Sequence, residues 1–274
     1  MSNAEHKQKM AAVFNKASEG YDSPTLDYFI KSALHMVEDM RLQGNERMLD
    51  VATGTGHVAL AAASELTDGS VTGVDISGGM LERACKKADA LNIRNVTFKC
   101  CDLEEMGFPD NTFDVASCAF GLFFLPDMEN GLKCISKVLI PGGRLHLTSF
   151  RTSFMEPMRG MLMGRLKSYG IEPPVFSTMR LDTPEKIEEP LLATGYSDIY
   201  IQARQLGYYI KDAQAWMDIL WNTAFRGPLG QLSENDLERF TEEHTREVDG
   251  LRKDDGIWLD IEVLYTKAVK PILT

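Results

Sequence analysis

RMLDVATGTGHVALAAASELTDGSVTGVDI, Arg47 to Ile76, decides the fold of this chain. An apolar run, Met48 to Val51, passes into Thr53-Gly54-Thr55-Gly56 and then into the helix-like Val58-Ala59-Leu60-Ala61-Ala62-Ala63, which reads as strand, glycine turn and helix. Without a Cβ, Gly54 and Gly56 can take positive φ and let a ligand touch the backbone. The helix that follows offers unpaired N–H groups to an electron-rich ligand. A second apolar run, Ser70 to Ile76, carries Asp75, whose carboxylate can accept two hydrogen bonds from a ribose diol. The unit reads as a nucleoside-binding βαβ element of a parallel sheet.

Two nucleoside classes fit these residues. Gly54-x-Gly56-x-x-Ala59 followed by Asp75 also satisfies the dinucleotide fingerprint. Asp50, at the end of the first strand and just ahead of the glycine turn, separates them: its carboxylate repels a pyrophosphate and attracts an ammonium or sulfonium.

Bulk properties narrow the class. With 274 residues, 44% hydrophobic and 25% charged, the chain can bury a substantial core. A net charge of -11 repels phosphate backbones and anionic lipid surfaces, so nucleic acid is a poor partner. The apolar run Ala116 to Leu125 is too short to cross a bilayer, and the N-terminus has no charged-then-apolar leader pattern, so a soluble cytoplasmic protein is expected. Cys85, Cys100, Cys101, Cys118 and Cys134 have neither metal-ligand spacing nor an even framework, and are expected to be buried thiols.

Upstream, residues 5–42 read as helices, with Leu26, Phe29, Ile30, Leu34 and Val37 forming an apolar stripe in the second. Glu19-Gly20-Tyr21-Asp22-Ser23-Pro24 is a turn between them, in which Ser23 can cap the second helix and Tyr21 can fold over a ligand. Downstream, Ser77 caps a helix carrying Met80 and Leu81, and the strand Val96 to Cys101 ends in Asp102. Asp50, Asp75 and Asp102 thus close three successive strands, and in an open parallel sheet the crevice lies beyond those ends. Phe113 to Phe120 is a fourth strand, followed by the bulky Leu122-Phe123-Phe124. Asp127 starts a helix that Pro141-Gly142-Gly143 breaks, and Arg144 to Phe150 is a fifth strand containing His146.

Beyond residue 150 the pattern changes. Residues 154–170 read as a helical insert carrying Met155, Met158, Met161 and Met163, a set able to shape an apolar substrate pocket, plain core or a dimer contact. Thr183 to Thr194 reads as a capped helix and Ser197 to Arg204 as a sixth strand. Tyr208 to Trp221 and Glu234 to Val248 read as helices, and Trp258 to Val269 as a last, antiparallel strand.

Leu49 to Gly56, Val74-Asp75-Ile76-Ser77 with Met80-Leu81, Cys101-Asp102, Phe113-Asp114-Val115 and Leu139-Ile140-Pro141-Gly142-Gly143 together resemble the ordered motifs of class I S-adenosylmethionine-dependent methyltransferases. Phe14-Asn15-x-Ala17-x-x-x-Tyr21-Asp22 and Phe120-Gly121-Leu122 further resemble the ubiquinone and menaquinone biosynthesis branch. The resemblance implies an α/β, doubly wound, mostly parallel seven-stranded sheet with an antiparallel last strand. It implies a helical lid over residues 1–42, a cofactor-binding core over 43–150, and helical substrate-side insertions within 151–274. S-adenosylmethionine would be the cofactor, with Thr53, Gly54 and Gly56 along its methionine moiety and Asp50 near its ammonium. Asp75 would take the ribose hydroxyls, Ile76 and Met80 the adenine faces, and Cys101-Asp102-Leu103 the adenine edge. Ala119 and Phe120 would border the sulfonium, and Tyr21 would belong to the lid. Ala52 stands where many members have the motif's first glycine, and Phe123 where the quinone enzymes carry a basic residue. Tyr21, Phe123, Phe124, Met155 and Met158 would face a small-molecule acceptor. His146, Tyr21 and His35 are the candidates for a proton acceptor, and none is singled out by spacing. An NAD(P)-dependent oxidoreductase and a non-catalytic nucleoside-binding subunit are the competing classes; a homodimer is compatible with all three.

Overall fold

The computed structural model describes residues 2–172 and 177–272. The chain opens with α1 (Asn3–Ala17), whose N-terminus is closed by a reciprocal Ser2–Glu5 capping box, and turns through Pro24–Leu26 into α2 (Asp27–Met40). β1 (Arg47–Val51), α3 (His57–Glu65), β2 (Ser70–Asp75), α4 (Gly78–Ala90) and β3 (Val96–Cys100) then alternate. They are followed by β4 (Phe113–Ala119), α5 (Met128–Val138) and β5 (Leu139–Phe150). The remainder holds α6 (Met158–Ser168), α7 (Pro184–Ala193), β6 (Ser197–Gln205), β7 (Tyr208–Ile210), α8 (Ala213–Trp221), α9 (Arg226–Leu229), α10 (Glu234–Asp249), β8 (Ile257–Leu259) and β9 (Glu262–Val269).

Seven strands form one sheet in the order β3-β2-β1-β4-β5-β9-β6, in which β1 to β5 pair parallel and β9 runs antiparallel to both neighbours. From β1 the chain steps outward through β2 to β3, then returns to build β4 and β5 on the other side. Right-handed crossovers in opposite directions put α3 and α4 on one face and α5 on the other. The central strands are buried on both faces, with Met48, Leu49, Val71, Val74, Val115, Ala116 and Leu145 at most 1% exposed. The order reverses between β1 and β4, and the crevice above their C-terminal ends is where this architecture holds ligands.

Several elements differ from the sequence reading. β5 begins at Leu139 and runs through Pro141-Gly142-Gly143, absorbing the extra residues as a register slip against β4. Tyr208–Ile210 is a strand, and the expected last strand is split: β8 pairs with β7 in a separate two-stranded sheet, while β9 alone joins the main sheet. α2 buries Tyr28, Ala33, Met36, Val37 and Met40, leaving Ile30 and Leu34 exposed. Of the cysteines only Cys118 is buried; Cys85 and Cys100 are exposed, and all five are free thiols. No helix among the described residues is long and apolar enough to cross a membrane.

Candidate cofactor and acceptor site

The backbone conformation at the crevice departs from ordinary strand geometry where the chain leaves β1 and β4. Ala52 (φ 53°), Gly54 (φ 55°), Gly56 (φ 84°) and Phe120 (φ 54°) all lie in the left-handed region, which is strained for the two that carry side chains. A Cβ on Gly54 would meet no protein atom within 4 Å, so that side of the turn is open to a ligand. Gly56 caps α3, and a Cβ there would lie 3.1 Å from Ala84 Cβ; its smallness serves helix packing. Gly121 is required by close approach, because a Cβ would fall 2.5 Å from that of Ala52.

A slot of about 110 Å³ lies between these turns. Ala52, Gly54, Asp75, Ile76, Met80, Leu103, Ala119 and Phe120 line its inner wall; His6, Lys7, Met10, Phe14 and Tyr21 form the outer one. Asp75 is held by two backbone donors, Gly54 N at 2.9 Å on one carboxylate oxygen and Ser77 N at 2.8 Å on the other. Each oxygen keeps a lone pair for a further donor. Burial raises its pKa against the hydrogen bonds from Ser77 and Gly54.

The other two acids are placed differently. Asp50 is 1% exposed beneath the glycine turn, its oxygens taken by Thr53 Oγ1 and Ser117 Oγ, each at 2.6 Å. Burial pushes its carboxyl up to about 6 against the Ser117, Thr53 and Ala59 hydrogen bonds. With Thr53 it lines a recess of about 40 Å³ on the far side of Gly54. Asp102 lies at the rim, paired with Lys7 at 2.7 Å, and neither it nor Cys101 nor Gly56 lines the slot.

Polar clasps hold the outer wall down. Lys7 also meets Glu104 at 2.5 Å, His6 Nε2 contacts the Phe124 carbonyl at 3.0 Å, and Asn15 Oδ1 accepts from Ser77 Oγ and Gly79 N, both at 2.8 Å. Asp22, next to Tyr21, accepts from Thr55 Oγ1 at 2.7 Å and sits 3.0 Å from Lys87 Nζ and 2.9 Å from His57 Nε2. Burial opposes its ionisation, but the His57, Thr55 and Lys87 contacts outweigh that and hold the carboxyl well below the usual range.

Met10, Phe14, Tyr21, Phe120 and Phe124 also face a second cavity of about 350 Å³ that abuts the slot. Phe120 stacks on Phe150 (4.3 Å, 16°), Phe150 on Phe154 (3.7 Å, 20°) and Tyr21 on Phe29 (4.8 Å, 18°). Phe123, Tyr28 and Phe225 complete the aromatic wall. Tyr21, Phe123 and Phe124 thus stand where the sequence reading puts them. Met155 and Met158 do not: both are 0% exposed in the core and line neither cavity, because the turn before α6 directs them inward. The sequence reading gave residues 1–42 as a lid without naming His6, Lys7 or Met10, and missed Phe29, Phe150, Phe154 and Phe225 as lining residues; of these Phe150 alone carried a signal, as the last residue of a strand reaching the same edge. His146 and His35 lie elsewhere. His146 lines a polar groove of about 560 Å³ flanked by α2, β5, β9 and β6 and crossed by the Arg204–Asp39 ion pair, to which no strand-end turn opens.

A family model described as a methyltransferase domain matches residues 48–143, which run from β1 into β5. An aklanonic acid methyltransferase from a Streptomyces species is 31% identical over 150 residues, covering 54% of this chain and 68% of that protein. A ubiquinone/menaquinone biosynthesis C-methyltransferase from Geotalea daltonii is 34% identical over 154 residues, covering 54% and 66%. Among solved structures, the YcgJ protein from Bacillus subtilis superposes with a TM-score of 0.61 at 20% identity, over 89% of this chain and all of that one. The chain therefore spans about two thirds of the curated relatives it matches, and the solved structure bears on the fold alone.

Proposed function

The chain belongs to the class I S-adenosylmethionine-dependent methyltransferases, and on that premise we propose that it methylates a small, apolar or aromatic metabolite. The observation that carries this is the aromatic cavity of about 350 Å³ sharing Phe14, Tyr21, Phe120 and Phe124 with the cofactor slot. The names of the two relatives, an aklanonic acid methyltransferase and a quinone-biosynthesis C-methyltransferase, support the same acceptor class.

When bound, S-adenosylmethionine supplies an electrophilic methyl on a sulfonium that loses its charge as the methyl leaves. The residues fit that nucleoside. Asp75 keeps free lone pairs for the ribose hydroxyls, Ile76, Met80 and Leu103 offer an apolar slit to the adenine, and Gly54 leaves the backbone bare beside the methionine chain. The slot holds about 110 Å³ with α1 clasped, whereas ligand pockets run from about 300 Å³ upward. We infer that the α1 wall moves outward on entry.

The cavity residues act by position and dryness. Aromatic walls exclude water where charge disappears, which favours the transition state over the charged reactant. They also hold the acceptor at attack distance. Among the described residues no His lines the aromatic cavity, and the one carboxylate that does, Glu172, is at the exposed rim. The acceptor accordingly brings its own nucleophilicity.

Incubation with methyl-deuterated S-adenosylmethionine tests the reading. A panel pairing hydroxylated naphthalenes and anthraquinones with small hydrophilic amines is expected to give labelled aromatic products. Label on the amines alone would overturn the aromatic assignment.

A further inference from the structure

We propose that Tyr28 and Thr178 form a neutral hydrogen-bonding end to the acceptor cavity, selecting an aromatic molecule that carries an uncharged hydroxyl or carbonyl oxygen. This rests on the acceptor reading above and adds to it the polar group the acceptor must present.

The tyrosine hydroxyls of the described residues divide by location. Those of Tyr169, Tyr196, Tyr208 and Tyr265 reach Glu243, the Leu132 carbonyl, the Thr25 carbonyl and Ser32 respectively. Tyr200 and Tyr209 are exposed to water. The remaining two, Tyr21 and Tyr28, both line the aromatic cavity and make no hydrogen bond among the described residues. Tyr28 is 1% exposed, and its ring stands edge-on to Phe150 (6.0 Å, 72°) and Phe154 (6.5 Å, 73°).

The cavity's threonines show the same contrast. Thr223 donates to the Ile219 carbonyl, whereas Thr178 Oγ1 is buried with no partner among the described residues. Arg180, two residues on, is bonded to the Phe123, Leu125 and Pro126 carbonyls and fixes the turn carrying Thr178 against the site. Buried hydroxyls are ordinarily paired, and Tyr28 and Thr178, whose hydroxyls have no partner among the described residues, both line this ligand-sized cavity, where a ligand's polar atom would complete the bonding.

The charge of that ligand follows from its surroundings. Lys9 and Glu172, the ionisable residues of the cavity other than its tyrosines, are exposed at the rim. Burial, with lesser contributions from Tyr21 and Tyr208, raises the Tyr28 pKa well above its ordinary value, so its hydroxyl keeps its proton and can donate. With S-adenosylhomocysteine, whose sulfur is uncharged, in the slot, a carboxylate or ammonium carried inward would lose its water without finding a counter-ion among the described cavity residues.

The test measures affinities for 1-naphthol, its apolar counterpart 1-methylnaphthalene and the anion 1-naphthoate, with saturating S-adenosylhomocysteine present. The wild type is expected to prefer naphthol over methylnaphthalene by about tenfold and to reject naphthoate. Tyr28→Phe and Thr178→Val should each cut naphthol affinity about threefold or more while leaving methylnaphthalene affinity in place, which also reports that the variants are folded. Equal naphthol and methylnaphthalene affinities, naphthol affinity untouched by the substitutions, or preferred binding of naphthoate would overturn the polar end and leave the aromatic acceptor standing. If none of the three binds, the acceptor reading itself falls, and this inference with it.

Discussion

Asp50 places a carboxylate beneath the site with both oxygens already engaged, and burial still lifts it to about 6 from an ordinary value of 3.8. Between those values the folded chain binds a proton that the unfolded chain has released. Stability therefore falls as pH rises through this window and levels off above it, by an amount on the order of 3 kcal/mol. Denaturant unfolding at pH 4 to 7 should show that slope in the wild type and its loss in Asp50→Asn; parallel curves would remove Asp50 as its source. Asp75 has the complementary role, since its spare lone pairs face the slot. Asp75→Ala should weaken S-adenosylhomocysteine binding by about 1 to 3 kcal/mol in calorimetry, the cost of stranding hydroxyls, and an unchanged affinity would take Asp75 out of the ribose role. Both acids could be read from strand ends in sequence. Their division of labour could not, because it depends on Ser117 and Thr53 reaching Asp50 while backbone N–H groups hold Asp75 open to the slot.

At the scale of elements, the proposed site is closed by the clasp between the Tyr21–Asp22 turn and helices α3 and α4, its proposed gate. Asp22 is held ionised by three contacts, from Thr55, Lys87 and His57. Asp22→Ala should speed both association and release of S-adenosylhomocysteine in stopped-flow fluorescence, by more than it changes the equilibrium affinity; unaltered rates would show that α1 does not gate the slot. The glycine turn, the alternation from β1 to β5 and the caps at Ser77, Asp127 and Thr183 were legible because each is a local pattern. β7 and β8 were not: three residues carry no periodicity, and Tyr208-Tyr209 and Trp258 run into neighbouring apolar stretches. α2 was misphased by apolar residues on both flanks, so only tertiary packing, for Tyr28 against Phe150 and Phe154, decided that Tyr28 and Met36 turn inward and Leu34 outward. The residues by which α1 closes the wall were not legible, because His6, Lys7 and Asn15 form the surface of a helix until contacts with residues 77, 102 and 124 enclose them.

For the molecule as a whole, the switch in strand order between β1 and β4 brings a nucleoside slot and an aromatic cavity to one edge of one sheet, under a shared wall. Composition and net charge argued against nucleic acid but did not identify an acceptor, and the methionine-rich stretch pointed to the wrong residues because methionine suits a core as well as a pocket. The central claim is that the slot takes an S-adenosyl nucleoside in preference to a dinucleotide, and thermal unfolding with added ligand tests it most directly. At ligand concentrations about a hundredfold above Kd, S-adenosylhomocysteine should stabilise the fold by about 2.7 kcal/mol, a Tm rise of several degrees, while NAD and NADP leave Tm unchanged. A rise with either dinucleotide and none with S-adenosylhomocysteine would contradict the account.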